Sequence, residues 1–217
     1  MPVNTIVYKE IKKQLDSNNI TLIAVSKTKP VEDIQALYNL GQRDFGENYV
    51  QELVDKEAVL PKDIRWHFIG HLQSNKVKFI APFVHLIHGV DSLNLLKEIN
   101  KEGEKKNKII DCLLQIYIAK EETKFGLDAE ELKEVIANVE QFKNAHIAGL
   151  MGMASFSDDL NLVRTEFSRL KSLYNEHPPF SILSMGMSGD YKIAMEEGSN
   201  MVRIGSLLFG KRNYLKP

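Results

Sequence analysis

The sequence predicts an α/β fold: a single (β/α)8 barrel of the TIM type with an additional helix at its N-terminus. Eight short apolar runs alternate with segments of helical spacing along the 217 residues, which is the pattern of eight strand–helix units. The run Ile109–Ile118 is almost continuously apolar, as expected of a parallel strand buried on both faces. An open Rossmann-like sheet is the alternative, but no Gly-x-Gly-x-x-Gly sequence follows the first strand. Because no linker or low-complexity segment interrupts the alternation, we expect one domain over residues 1–217.

The strands are predicted where apolar and β-branched residues cluster between turn residues. In chain order they are Thr21–Ser26, Arg43–Gly46, Trp66–Ile69, Val84–Val90, Ile109–Ile118, Ala145–Met151, Ser181–Met185 and Asn200–Ile204. The second of these is the weakest by composition. A helix or a helix start follows each strand, so the pattern closes a barrel more readily than it builds an open sheet.

The helices are predicted from apolar residues at helical spacing and from local signals at their ends. The predicted helices are Val3–Leu15, Val31–Leu40, Tyr49–Leu60, one after Ser74, one after Ser92, one from Asp128, one through Leu160–Leu173, and Asp190–Glu197. Ser74 and Ser92 are predicted N-caps, and Asp128 with Glu131 predicts a start resembling a capping box. Pro61 ends the third helix.

Composition excludes several classes of protein. The chain has 28 basic and 29 acidic residues and a net charge of −1, so it has no basic footprint for nucleic acid. The longest apolar stretch, Phe79–Val90, contains Pro82 and is too short to span a bilayer. The single cysteine, Cys112, cannot form an internal disulfide and favours a reducing compartment. Lys9 and Glu10 interrupt any signal-peptide pattern. We therefore expect a soluble cytoplasmic protein that binds neither nucleic acid nor membrane.

The last quarter of the chain contains two turns of small residues, each directly after a predicted strand. Ser188 and Gly189 follow the seventh strand, and Gly205 and Ser206 follow the eighth. Such turns present free backbone N–H groups at a helix N-terminus, where phosphate binds well. In (β/α)8 barrels a phosphate site commonly follows strands seven and eight. Each turn can also serve simply as the cap of the next helix, and the two roles are compatible.

Lys27 comes at the end of the first predicted strand, directly after Ser26, and so lies at the same end of the barrel as the two turns. Apolar surroundings favour the neutral amine that a Schiff base needs. A lysine and a phosphate-binding cup at one mouth indicate a phosphorylated aldehyde cofactor held as a Schiff base. The competing interpretation is an ordinary surface lysine at a strand end.

Two more polar residues lie where a cofactor would contact them. Arg203 interrupts an apolar last strand, and a buried arginine must be paired because it keeps its proton. It predicts either a structural ion pair inside the barrel or a donor to an aromatic ring nitrogen. Asn48 follows the second strand and is either a helix N-cap or a cofactor contact. His67 and His71 are four residues apart, but without a third ligand in view no metal site is predicted.

Six segments in chain order resemble a known family. They are Ala24–Thr28, Phe45–Glu52, His67–Lys76, Gly149–Ala154, Ser184–Asp190, and Val202–Gly205 with Phe209–Gly210. The resemblance runs from about Leu22 to Gly210, nearly the whole chain. In these motifs the chain resembles the pyridoxal phosphate homeostasis protein family. The resemblance implies a single barrel similar to the N-terminal domain of bacterial alanine racemase.

The same resemblance implies roles for individual residues. Lys27 would carry pyridoxal 5′-phosphate (PLP) as a Schiff base, Arg203 would face the pyridine nitrogen, and Asn48 would contact the cofactor. The positions that match the family's phosphate-binding residues are Ser188, Gly205 and Ser206. The family often has threonine where Ser206 stands, and serine keeps the hydroxyl.

The resemblance also implies a function. Alanine racemases with such a barrel have a second, β-rich domain that supplies a tyrosine acid/base, and this chain ends at Pro217, where no sequence remains for that domain. We therefore expect a mostly monomeric carrier that buffers PLP or delivers it to apo forms of PLP-dependent enzymes. The alternatives are an amino-acid racemase or decarboxylase of limited activity, and a ligand-free scaffold for a partner protein.

Overall fold

The fold is a closed barrel of eight parallel strands joined in chain order, with the last strand paired to the first. The computed structural model describes residues 3–119, 126–177 and 179–210. The strands are β1 (Thr21–Val25), β2 (Asp44–Glu47), β3 (Arg65–Phe68), β4 (Leu86–Val90), β5 (Ile110–Ile116), β6 (Ala145–Gly152), β7 (Ile182–Met187) and β8 (Met201–Ile204). The predicted (β/α)8 barrel is confirmed, and each predicted strand overlaps an observed one.

The helices surround the barrel, one or more after each strand. In the described ranges they are α1 (Thr5–Asp16), α2 (Val31–Asn39), α3 (Val50–Val59), α4 (Val77–Ile80), α5 (Leu93–Lys105), α6 (Ala129–Ala137), α7 (Leu160–Glu176), α8 (Tyr191–Glu196) and α9 (Ser206–Phe209), with 3-10 turns at Ser74–Lys76 and Val139–Gln141. The predicted additional N-terminal helix is α1. The Asn4 N–H donates to the Leu208 carbonyl at 2.8 Å, which joins the start of α1 to α9.

Caps were predicted at three helix starts, and two of them have the expected hydrogen bonds. Ser92 Oγ accepts the Leu95 N–H at 3.3 Å, and Asp128 and Glu131 form a reciprocal capping box. The prediction for Ser74 is wrong. Ser74 is the first residue of a 3-10 turn, its side chain makes no capping hydrogen bond, and α4 begins only at Val77. The i→i+3 hydrogen bonds of that turn use backbone N–H groups that would otherwise donate to a capping side chain.

Apolar packing forms two layers. The larger layer lies between the sheet and the helices. The smaller one contains residues from strands on opposite sides of the barrel and none from a helix, so it fills the interior; its buried members are Ile23, Leu86, Leu113, Ala148, Met151 and Met201. Buried polar side chains, including His67, His88, Ser184 and Arg203, lie among the strands as well. Polar groups in such a place need hydrogen-bond partners.

The strand order decides where a functional site can form. Because all eight strands run in parallel, the residues that follow them meet at one mouth of the barrel. Cys112, on β5, is buried, and burial raises the pKa of its thiol. None of the helices in the described part of the chain is long and apolar enough to cross a bilayer.

Candidate functional site

The carboxyl-terminal mouth brings together the turns after β1, β7 and β8. Lys27 lies two residues beyond the end of β1. The Gly205 N–H donates to Ser188 Oγ at 3.2 Å, which joins the turn after β8 to the turn after β7. A Cβ at position 205 would lie 3.3 Å from both the Cβ and the carbonyl oxygen of Val25. Glycine at this position therefore lets the β8 turn lie close against the end of β1.

The joined turns offer donors that the rest of the described chain does not use. No hydrogen bond within the described ranges uses the backbone N–H of Ser188, Gly189 or Ser206. Nothing lies within 4 Å of a Cβ built at Gly189, so space remains beside that residue. Because α8 has six residues and α9 has four, the local N–H groups and hydroxyls matter more here than a helix dipole. This donor set suits a phosphate group.

Ser188 does not cap α8. The residue at the N-cap position is Asp190, and its carboxylate accepts the Met187 N–H at 2.5 Å. The Ser188 hydroxyl is held by the Gly205 N–H instead. Of the two roles predicted for the turn after β7, capping by Ser188 is wrong, and the ligand-binding role stays a prediction.

Asn48 lies directly after β2, and its side chain is not an N-cap either. Tyr49 occupies the N-cap position of α3, without a capping side-chain bond. Asn48 Oδ1 is buried and has no hydrogen-bond partner in the described ranges. A buried polar atom without a partner is costly, so this oxygen is available to a ligand.

Arg203 is buried in β8, as predicted, but it forms no ion pair with any described residue. Its Nη1 donates to the Ser184 carbonyl at 2.9 Å and to Ser184 Oγ at 2.6 Å, and its Nη2 donates to the Gly152 carbonyl at 3.0 Å. Burial lowers the pKa of Arg203 to about 10, so the guanidinium stays charged at neutral pH. A guanidinium has five N–H donors, and these contacts leave two for a ligand.

The turn that carries Lys27 is clamped on both sides by residues of β2 and α3. Lys56 Nζ donates to the Ser26 carbonyl at 2.8 Å, to Glu47 at 2.8 Å and to Glu52 at 2.7 Å. Ser26 Oγ donates to the same Glu47 oxygen at 2.6 Å. These contacts fix the residue that precedes Lys27.

The residue after Lys27 is held by the same group of side chains. Glu52 Oε1 accepts the Thr28 N–H at 2.6 Å. Thr28 has a φ of 61°, a left-handed conformation that β-branched residues rarely adopt and that costs about 1–3 kcal/mol. Sequence reasoning missed Glu47, Glu52 and Lys56. The one local signal was the i,i+4 spacing of Glu52 and Lys56 on a helix next to the lysine turn.

Burial makes Glu47 an unusual carboxyl group. Its side chain is fully buried beside Lys56, and burial raises the pKa of Glu47 from 4.5 to about 7, against the attraction of Lys56. One of its oxygens, Oε2, has no hydrogen-bond partner in the part of the chain that the structure describes. The clamp therefore contains a group that titrates near neutral pH.

Substitution of Glu47 by glutamine is expected to change how stability depends on pH. The raised pKa means that the folded protein binds this proton more tightly than the unfolded chain does. The stability that this provides is complete below about pH 4.5 and is lost as the pH rises to about 7. Relative to Glu47→Gln, the wild-type free energy of unfolding should therefore fall by about 3 kcal/mol over that range. Urea denaturation from pH 4.5 to 8 measures it. Glu130→Gln, which alters an exposed pair, is the control, and parallel pH profiles for wild type and Glu47→Gln would contradict the prediction.

The two histidines four residues apart have separate partners. His67 Nε2 lies 3.0 Å from Asp44, whereas His71 Nδ1 lies 2.9 Å from Asp91. Asp44, His67 and His85 are close enough to one another to hold a metal ion. However, both Asp44 oxygens already accept hydrogen bonds from a neighbouring arginine, and both His67 nitrogens are engaged. Hydrogen bonding accounts for this cluster.

Comparison with known proteins defines the class to which this barrel belongs. Residues 8–213 match the family model of the alanine racemase N-terminal domain. The chain is 42% identical over 203 residues to the pyridoxal phosphate homeostasis protein of Aquifex aeolicus, a match that covers 91% of this chain and 89% of that relative. It is 38% identical over 205 residues to the protein of the same name from Escherichia coli K12, covering 91% and 88%. The chain belongs to the pyridoxal phosphate homeostasis protein family, as the resemblance predicted.

Solved structures agree with this assignment. PipY from Synechococcus elongatus PCC7942, solved with PLP bound, is 33% identical with a TM-score of 0.86, and the match covers 94% of this chain and 98% of PipY. Alanine racemase from Bartonella henselae, solved with covalently bound pyridoxal phosphate, matches with a TM-score of 0.72 at 20% identity. That match covers 98% of this chain and 62% of the racemase, and at this identity it shows a shared fold.

Proposed function

We propose that this protein binds PLP at the carboxyl-terminal mouth of the barrel, holds it as a Schiff base on Lys27, and serves to buffer or deliver it. The observation that carries the proposal is the 3.2 Å contact between the Gly205 N–H and Ser188 Oγ, which makes one cup of two turns beside the strand that leads to Lys27. The names of its relatives and the PLP bound in PipY support the choice of cofactor. Residues 1–217 act, in this proposal, as one PLP-binding barrel domain.

Each part of the cofactor has a matching part of the mouth. The phosphate binds to the turns after β7 and β8, through Ser188, Gly189 and Ser206, and Gly205 completes the cup by holding Ser188 Oγ with its N–H. Arg203 donates to the pyridine nitrogen with the N–H groups that its contacts to Ser184 and Gly152 leave over. Asn48 offers its buried side-chain oxygen as a hydrogen-bond acceptor, either to the hydroxyl group of the ring or to a water molecule beside it.

Reversible attachment suits a carrier. Lys27 would supply the amine for a Schiff base with the PLP aldehyde, formed with release of one water and reversed by hydrolysis, so the cofactor could be held and given up without any other reactant. The clamp around Ser26 and Thr28 keeps the backbone of Lys27 in one position for this attachment. Apo forms of PLP-dependent enzymes are the proposed recipients, and the protein acts as a monomer in the cytoplasm, a compartment that keeps a lone thiol such as Cys112 reduced.

The decisive experiment is an absorbance spectrum of the PLP-loaded protein before and after borohydride reduction, followed by peptide mapping. Reduction should shift the long-wavelength absorbance band of the Schiff base to shorter wavelength. It should also fix the pyridoxyl group on the peptide that contains Lys27. A protein that stays colourless after incubation with PLP would support the scaffold alternative instead.

Substitution of Ser188 by alanine should weaken the binding of PLP far more than that of pyridoxal. The hydroxyl lies in the cup, and loss of one hydrogen bond to a charged group costs about 1.5–3 kcal/mol, roughly ten- to a hundredfold in affinity. Isothermal titration with both ligands measures the effect. Ser172→Ala, an exposed α7 serine that bonds only to the Ser168 carbonyl among described residues, is the control. Equal losses for PLP and pyridoxal would contradict a phosphate role.

The loaded protein should not turn over amino acids at an enzymatic rate. An arginine that stays charged offers a hydrogen bond to the ring nitrogen but does not protonate it, so the ring withdraws electrons weakly. The proposal assigns no residue as a second general acid or base for an amino-acid substrate, and such catalysis is typically worth about 10²–10⁴-fold in rate. We expect α-proton exchange of D- and L-alanine, followed by NMR in deuterated buffer, to be slower than about 1 s⁻¹. Turnover in the usual enzyme range of about 1–10³ s⁻¹ would favour the racemase alternative.

A further inference from the structure

A continuous chain of hydrogen bonds crosses the interior of the barrel and ends at Arg203. Ser184 Oγ lies 2.6 Å from Arg203 Nη1 and 3.2 Å from His88 Nδ1. His88 Nε2 lies 2.9 Å from His67 Nδ1, and His67 Nε2 lies 3.0 Å from Asp44 Oδ1. The five residues come from β8, β7, β4, β3 and β2. All five are buried.

Donor and acceptor roles along this chain are set from its ends. Arginine only donates and an ionised carboxylate only accepts. Ser184 Oγ therefore accepts from Arg203, and its own hydrogen points to His88 Nδ1. His88 then donates through Nε2 to His67 Nδ1, and His67 donates through Nε2 to Asp44. Every bond runs in the same direction with both histidines neutral, and bonds aligned in this way strengthen one another.

The surroundings favour these protonation states. Burial lowers the pKa of His67, and it lowers the pKa of His88 further, with nearby His67 and Arg203 adding to the effect. Burial opposes ionisation of Asp44, but hydrogen bonds from His67 and Arg65 outweigh it and hold the pKa of Asp44 well below its usual range.

Other charged or titratable groups also face the two ends of the chain. The His85 ring packs edge-on against His67 at 5.2 Å between centroids. At the other end, Asp190 raises the pKa of Arg203 against the larger effect of burial. Neither group interrupts the hydrogen bonds between Asp44 and Arg203.

The hydrogen-bond chain gives the buried Arg203 an ordered partner, Ser184, where no described carboxylate makes an ion pair with it. Burial of a charge is expensive unless the charge is compensated. The hydrogen-bonded contacts of Arg203 in the described structure are with Ser184 and Gly152, and the carboxylate that the chain reaches is Asp44, at the start of β2. Asp44 is itself paired with Arg65, so the aligned bonds orient Ser184 and Arg203 and do not neutralise the guanidinium.

We infer that Asp44, His67 and His88 are positioning residues for Arg203. They orient Ser184 and thereby hold the guanidinium in the place where it meets the ring nitrogen of PLP. This rests on the proposed function, because that function assigns Arg203 to the ring nitrogen. None of the three residues touches the cofactor in this inference.

The test compares PLP with 1-deazapyridoxal 5′-phosphate, in which carbon replaces the ring nitrogen. Asp44→Asn and His88→Gln should each weaken PLP about tenfold, the usual scale for a lost bond to a charged group. Each should change affinity for the deaza analogue less than twofold, because that analogue has no nitrogen for Arg203. Asp111→Asn is the matched control: it alters an exposed aspartate–histidine pair, 2.7 Å from His146, with no path to Arg203.

Equal losses for the two ligands would mean general structural damage and would overturn the inference, as would unchanged affinity for both. A second measurement needs no cofactor. Imidazole ¹⁵N NMR of the unloaded wild-type protein at pH 7 should find His67 and His88 neutral and protonated on Nε2. Protonation of either ring on Nδ1 would overturn the inference. The expected tautomers in a protein that does not bind PLP would locate the failure in the proposed function instead.

Discussion

Alanine in place of Lys27 is expected to abolish covalent attachment of PLP. The Lys27→Ala protein should show no long-wavelength band and no pyridoxyl peptide after borohydride reduction, because the side-chain amine proposed to form the Schiff base is gone. Weak binding through the phosphate cup should remain, since Ser188 and Gly205 are untouched. Absorbance titration with PLP, followed by reduction and peptide mapping, measures both effects.

Lys29→Ala is the matched control for this experiment. Lys29 is two residues away, and its Nζ donates to the carbonyl of Phe209, the last residue of α9, at 2.7 Å. Its loss should leave the band and the modified peptide in place. A pyridoxyl group found mainly on Lys76 or Lys192 of the wild-type protein would contradict the assignment of Lys27 as the Schiff-base residue.

Among the proposed variants, Lys56→Met should lower the free energy of unfolding the most. The Lys56 ammonium is buried between Glu47, Glu52 and the Ser26 carbonyl, and breaking a buried ion pair from one side costs about 3–5 kcal/mol. The loss should be greater at pH 8 than at pH 6. Lys56 lowers the pKa of Glu47, so without it the pKa of that buried carboxyl rises further above about 7. Ionising or protonating Glu47 then costs more free energy at pH 8 than at pH 6. Urea denaturation at both pH values measures the effect.

Two variants separate this effect from the loss of any lysine. Lys133→Met breaks an exposed i,i+3 pair with Glu130, and because exposed ion pairs contribute little to stability, its effect should be small. The double variant Glu47→Gln with Lys56→Met should recover part of the stability, since it leaves no buried charge at position 47. A double variant less stable than Lys56→Met alone would show that Glu47 is not the group left unpaired.

The outline of the site followed from local pattern. Small-residue turns after two successive late strands placed Ser188 and Gly205 at one mouth, and the parallel order of the strands placed Lys27 at the same mouth. The contact of 3.2 Å between the two turns agrees with that prediction. Arg203 was recognised because a charged residue in an apolar strand is unusual, but its partners were not. The prediction of a cap at Ser74 was wrong because serine there fits either an N-cap or the first residue of a 3-10 turn, and the structure has the turn.

Sequence alone determined the barrel, its eight strands, the mouth at which chemistry could occur, and the lysine and turns that lie there. These depend on periodicity and on turn residues, which are local properties of the chain. Only the tertiary structure decided what holds those residues. Glu47 meets Ser26 across 21 positions of sequence, and His88 meets Ser184 across 96, so no local pattern pairs them. The raised pKa of Glu47 and the neutral histidines behind Arg203 arise from burial, which exists only once the strands have closed around them.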